Sequence, residues 1–222
     1  MIRKYRKPLI ATTLVALLPV LAGLVLWNRL PEALVSHWDV AGQPDGTISR
    51  AFAVFGQPMI LLLIQWLCFL ATTLDPRSRE QNRKPLTMML WIIPLTSNLV
   101  ALMIYATALG KSFSPIPFLM GALGLLFLVI GNYLPKCKPN RTLGIRFIWT
   151  LVSDENWKAT HRFCGRVWVI GGIAVALNIF LPAATACRVM LAELLVMILL
   201  PAGYSYRFYR RQKASGDPPC SH

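Results

Sequence analysis

Residues 112–135, SFSPIPFLMGALGLLFLVIGNYLP, carry no charge, and residues 136–166, KCKPNRTLGIRFIWTLVSDENWKATHRFCGR, are basic, polar and aromatic. Reading the first as a membrane span and the second as the loop that follows it decides the fold. About 20 apolar residues, rising about 1.5 Å each, cross a hydrocarbon core about 30 Å thick. Six runs without Lys, Arg or Asp occupy 8–27, 52–74, 85–109, 112–135, 167–187 and 189–206, and Glu193 is their one carboxylate. The chain is 55% hydrophobic and 14% charged, against about 25% charged in a soluble domain. A helix satisfies its own backbone hydrogen bonds in lipid. The sequence therefore predicts an all-α polytopic integral membrane protein with six transmembrane helices.

The net charge of +14 invites a nucleic-acid reading, which the distribution of the charge excludes. With the N-terminus in the cytoplasm, every Lys and Arg except Arg29, Arg50, Lys111 and Arg188 falls on the cytoplasmic side. That is the positive-inside pattern. It predicts both termini and residues 136–166 inside, with no direct nucleic-acid partner and anionic membrane lipids as the partners of the basic loops. The first run exceeds a usual signal-peptide core and lacks a clear cleavage site, so it is read as an anchor.

Three segments follow from this reading. Residues 1–75 form a two-helix unit with an outer loop at 28–51. Residues 76–206 form a four-helix core with the inner loop 136–166, and residues 207–222 form a basic tail expected to be disordered. The five cysteines, Cys68, Cys137, Cys164, Cys187 and Cys220, show no C-x-x-C spacing and read as free thiols. Cys137, His161 and Cys164 fall short of a four-ligand zinc set. No metal, other cofactor or enzymatic activity is expected.

In the outer loop, Pro44-Asp45-Gly46 is turn chemistry. His37, Trp38, Asp39 and Asp45 place a titratable ring, an interfacial aromatic and two carboxylates beside the membrane, where a cationic peptide could meet them. In the inner loop, Pro135 and Pro139 end the fourth span, and Asn140 to Gly144 reads as a turn. Ser153 caps a new helix with Asp154 and Glu155 in its first turn. On that helix Trp157, His161 and Cys164 form one stripe, Asp154 and Lys158 are spaced to pair, and the aromatic and basic residues suit a segment lying at the interface. Asn98, Asn178 and Glu193 are polar within spans, where amides usually bond across helices and a carboxylate invites a functional role.

The residues of the inner segment resemble the signature of the SdpI family of bacterial membrane proteins. They are Gly131-Asn132, Pro135-Lys136, Lys138-Pro139-Asn140, Gly144-Ile145-Arg146, Trp149-Thr150-Leu151, Trp157, Thr160-His161-Arg162 and Gly165. The outer loop resembles the module often found ahead of that core, in Leu30-Pro31, His37-Trp38, Gly42, Pro44-Asp45-Gly46 and Arg50. Phe147-Ile148 departs from the pattern, which has Thr-Pro there. The resemblance implies a multi-pass immunity protein of the bacterial plasma membrane that gives resistance to an antimicrobial peptide toxin. It also implies a receptor in signal transduction that holds a cytoplasmic transcriptional repressor at the membrane. On this reading His37, Trp38, Asp39 and Asp45 face the toxin. Asn132, Lys136, Asn140, Gly144, Arg146, Trp149, Trp157, His161 and Arg162 serve the inner partner. The alternative is a small-solute transporter, for which Pro94 with Asn98, Pro58 with Gln57, and Asn178 are the pointers; a membrane-embedded enzyme ranks below it.

Overall fold

The computed structural model describes residues 2–76, 83–111 and 114–215. Arg77, Arg79 and Cys220, used in the charge and thiol arguments, lie outside the described residues. Among the described residues six helices are long and apolar enough to cross a membrane: Tyr5–Arg29, Phe52–Leu74, Lys84–Ala108, Pro115–Lys136, Asp154–Phe180 and Ala183–Ala214. The elements are α1 (Ile2–Ala16), α2 (Leu18–Leu26), β1 (Ala33–Trp38), β2 (Pro44–Ser49), α3 (Gln57–Leu74), α4 (Arg83–Ala108), α5 (Pro115–Tyr133), α6 (Ile148–Leu151), α7 (Asp154–Leu177) and α8 (Ala183–Ala214). Packing divides the chain differently from the hydropathy segments. One compact unit is Met1–Thr73 with Leu86–Ile116, so the third span packs with the first two; the other is Leu74–Pro85 with Pro117–His222.

In the first unit, Pro19 breaks the first span into α1 and α2. A proline lacks an N–H, so the carbonyl four residues earlier loses its helical donor. That carbonyl belongs to Val15, and the Asn98 side-chain amide of α4 donates to it at 2.8 Å. Gln65 of α3 likewise donates to the Thr12 hydroxyl at 2.9 Å. A Cβ on Gly23 would collide with Val54 and with the Tyr105 hydroxyl, so glycine is what lets α2 sit against them. The Tyr105 hydroxyl donates to the Pro19 carbonyl at 3.1 Å.

The outer segment is a β-hairpin rather than an irregular loop, pairing Ala33 with Ser49 and Leu34 with Ile48. Leu34 enters a buried cluster with Leu30, Ala53, Val54, Ala101, Ile104 and Tyr105, which gives this short hairpin an apolar face to rest on. Trp38, half-buried, packs against the same cluster and so helps anchor the hairpin. Pro44-Asp45-Gly46, expected as the turn, lies in β2. The reversal occurs just upstream, where one Asp39 carboxylate oxygen accepts the N–H groups of Ala41 (2.9 Å) and Gln43 (2.7 Å). Gly42 there has φ +81, a conformation glycine adopts without cost.

In the second unit, α7 begins at the Ser153 cap and runs unbroken through Gly165 into the fifth span. Residues 154–166 of the inner loop are thus the first part of a membrane-length helix. The tail is corrected too: α8 continues to Ala214, so residues 207–214 are helical.

Candidate functional site

The inner segment of the second unit is a closed network of side chain to backbone bonds. Pro135 lies in the short 3-10 turn Leu134–Lys136 that follows α5. Asn140, fully buried, then organises the turn. Its carbonyl oxygen accepts the N–H groups of Thr142 (2.8 Å) and Leu143 (2.5 Å), and its amide donates to the carbonyls of Lys138 (2.8 Å) and Leu143 (3.0 Å). An Asn side chain can mimic a backbone turn in this way. Gly144 follows with φ +99, which a side chain would strain. The Arg141 N–H donates to the Asp75 carboxylate at 2.8 Å, tying the turn to the start of this unit. The Arg146 guanidinium donates to the Arg141 carbonyl at 2.6 Å, bracing it from outside.

Two rings of α7 fasten that turn. The Trp157 indole N–H donates to the Cys137 carbonyl at 2.9 Å. His161 stacks on Trp157, with ring centroids 4.1 Å apart. Its Nδ1 lies 2.9 Å from the Trp157 carbonyl, and its Nε2 accepts the Ile145 N–H at 3.0 Å. A carbonyl only accepts, so Nδ1 carries the proton and Nε2 does not: the imidazole is a neutral pin with both nitrogens committed. Burial at the thiol of neighbouring Cys137 pushes its pKa up to about 11, so it stays protonated.

The next link is α6. Its N-cap and first helical positions are Phe147 and Ile148, the site of the departure from Thr-Pro. Thr and Pro are what those two positions prefer, and Phe147 offers no side-chain acceptor. Thr150 compensates: its hydroxyl accepts the Phe147 N–H at 3.0 Å and lies 2.8 Å from the Phe147 carbonyl. Below it, Ser153 caps α7 by accepting the Asn156 N–H at 3.2 Å. Buried Asn156 bonds the Ser205 hydroxyl (3.0 Å), the Ser205 carbonyl (3.1 Å) and the Thr160 hydroxyl (2.8 Å). Gln212 joins the Ser153 hydroxyl and the Glu155 carboxylate, each at 3.0 Å. The basic end of the chain is therefore stitched to the segment by its helix.

Glycines bring α5 and α7 together, a packing role the sequence reading did not assign to Gly131 and Gly165 and two positions, Gly124 and Gly172, that it did not single out. A Cβ on Gly124 or Gly131 would meet the backbone of Gly172 or Gly165, and the reverse holds for Gly172 and Gly165. Each pair is spaced by seven residues, so both fall on one helix face. Small residues at matched spacing are how membrane helices approach closely, and that spacing was the legible signal. On the other side of α7, the Trp168 indole donates to the Met197 carbonyl at 3.2 Å, the carbonyl whose helical donor Pro201 removes.

The sequence-chosen residues thus separate into two groups. Asn140, Trp157 and His161 are buried within the fold; the partner-facing stripe expected of Trp157 and His161 is corrected to an internal one, because their polar atoms are used by the turn. Trp149 is half-buried, stacked on Phe147 with centroids 5.3 Å apart and close to Tyr206. Asn132, Lys136, Gly144, Arg146 and Arg162 are exposed, with the Lys136 ammonium 4.5 Å from the Tyr133 ring. Asp154 and Lys158 form no ion pair. In the hairpin, His37 pairs with Asp45 at 2.5 Å, their side chains 72% and 44% exposed, while Asp39 is occupied by the turn. Within the spans, Asn98 serves Val15, and Asn178 donates to Glu193 at 2.8 Å.

Against known families, residues 136–205 match the SdpI/YfhL protein family, and residues 14–62 match a domain of unknown function, DUF1648. This chain carries the SdpI/YfhL segment. The immunity protein SdpI of Bacillus subtilis (strain 168) is 25% identical over 213 residues, covering 93% of this chain and 98% of that one. No solved structure matches. With six membrane-length helices among its described residues, the chain is a multi-pass protein of the bacterial plasma membrane.

Proposed function

We propose that this SdpI-family protein protects its bacterium from an antimicrobial peptide toxin, with the hairpin outside the cell and both termini and residues 136–166 in the cytoplasm. The observation that supports the reading most is similarity to an immunity protein along almost the whole of both chains. The hairpin contributes an exposed polar surface: His37 and Asp45 project from strands held by Leu34 and by Arg50, whose guanidinium donates to the Trp27 and Leu30 carbonyls at 3.0 Å each. In the inner segment the exposed side chain offered to a repressor-like partner is Arg146, beside the ordered frame of Asn140, Trp157 and His161. Binding and signalling, rather than catalysis, suit a site whose one histidine has both nitrogens committed to structural bonds.

The test is deletion of the protein followed by challenge with peptide toxins, scoring survival and membrane potential. Loss of survival restored by the intact chain supports immunity; equal survival of deleted and intact cells against every toxin tried refutes it. Labelling by a membrane-impermeant thiol reagent checks the orientation. A cysteine introduced at Gln43 is expected to react from outside while one introduced at the exposed Lys158 does not, and the opposite pattern overturns the topology.

A further inference from the structure

Beside the closest approach of α5 and α7 lies an open groove of about 470 Å³, lined by Asn132 and Pro135 of the first helix end and by Arg162, Arg166, Val169 and Ile170 of the second. Its floor is the backbone of Gly131 and Gly165, each too close to its neighbour to bear a Cβ. Arg162, Arg166 and Ile170 recur every four residues, so they form one stripe of α7 about 12 Å long. The stripe changes character along its length: two exposed guanidiniums at one end, and Ile170, 69% exposed, at the other. Among the described residues neither Arg162 nor Arg166 has a hydrogen-bond or ion-pair partner. The acids nearest in sequence, Asp154 and Glu155, lie about two turns away on the same helix, and Glu155 is held by Gln212.

We propose that this groove is a binding site for the headgroup of an anionic phospholipid. A guanidinium presents a planar pair of donors that matches two phosphate oxygens, and two of them one turn apart can take a phosphodiester between them. The exposed Asn132 amide stands across the groove as a further donor. The occupant is a lipid rather than a free anion because the wall continues into the apolar side chains of Val169 and Ile170, on a helix able to span the membrane. An acyl chain lies along that wall while its phosphate meets the arginines, and the Gly131–Gly165 floor leaves the space between them open. This assignment does not depend on the immunity reading.

The experiment uses the full chain purified in a mild detergent, its thermal unfolding followed while phosphatidylglycerol, phosphatidylcholine or inorganic phosphate is added. Phosphatidylglycerol is expected to raise the Tm saturably, and phosphatidylcholine is expected to raise it far less. Arg162→Gln with Arg166→Gln should weaken the apparent affinity for phosphatidylglycerol by about tenfold or more, the worth of one charge-assisted hydrogen bond. Arg210→Gln with Arg211→Gln removes the same charge away from the groove and should leave that affinity unchanged. Equal responses to the two lipids, or equal losses in the two double variants, would overturn the site. Full stabilisation by inorganic phosphate alone would overturn the lipid as its occupant.

Discussion

The outer hairpin and the inner segment look alike in sequence, each a short polar stretch crowded with aromatic, turn-forming and titratable residues, yet they use them in opposite ways. In the hairpin, His37 and Asp45 meet each other at the surface. In the inner segment, His161 and Trp157 are 1% and 0% exposed, and their polar atoms close on the backbone of the preceding turn. Dense signature residues therefore mark self-recognition in one region and display in the other. What separates them is the packing partner: the hairpin has an apolar cluster beneath one face only, whereas the inner turn lies directly against α7.

That contrast can be broken by experiment, most severely at Trp157. Trp157→Ala removes a fully buried ring and its bond to Cys137, and is expected to cost about 3–5 kcal/mol; a thermal melt close to that of the intact chain would show the stripe to be outward-facing after all. Next is His161→Ala, which leaves the Ile145 N–H without its partner, at about 1–3 kcal/mol; the Trp157 carbonyl keeps its helical donor. His161→Gln, which keeps one acceptor in reach of Ile145, should recover part of the loss. Recovery absent in the unfolding curve would argue against the neutral-pin role.

At the hairpin the effect on stability should be small and the effect on function large. Asp45→Asn is expected to change stability by less than about 0.5 kcal/mol while lowering survival against a cationic toxin at equal expression. Asp39→Asn should behave differently, loosening the turn, because Asp39 accepts from Ala41 and Gln43. Identical survival and stability for both variants would erase the distinction between display and structure there. The last effect is a modest gain in stability at α6 with no functional loss expected, where Phe147→Thr with Ile148→Pro supplies the missing cap. It should stabilise the segment by about 0.5–1 kcal/mol, less whatever the Phe147 stack on Trp149 contributes, read as a rise in Tm.

Six spans, the helix start at Ser153 and the turn at Asn140 could be read from the sequence because each depends on local chemistry: run length against bilayer thickness, a capping hydroxyl, and an amide that bonds its own backbone. The direction of the Trp157 stripe could not be read. Periodicity shows that Trp157, His161 and Cys164 share a face, but whether that face meets lipid, water or the preceding turn depends on where residues 137–146 return. The hairpin turn lies a few residues before the place its local chemistry suggests, for a similar reason. Pro44, Asp45 and Gly46 favour a turn locally, but burial of Leu34 and Trp38 sets the strand register and moves the reversal to Asp39–Gln43. The repair of Val15 by Asn98 and of Met197 by Trp168 joins residues 83 and 29 positions apart. Sequence alone determined which groups a helix break leaves unsatisfied, since a proline has no N–H wherever it stands; only the tertiary structure decided which distant side chain arrives to satisfy them.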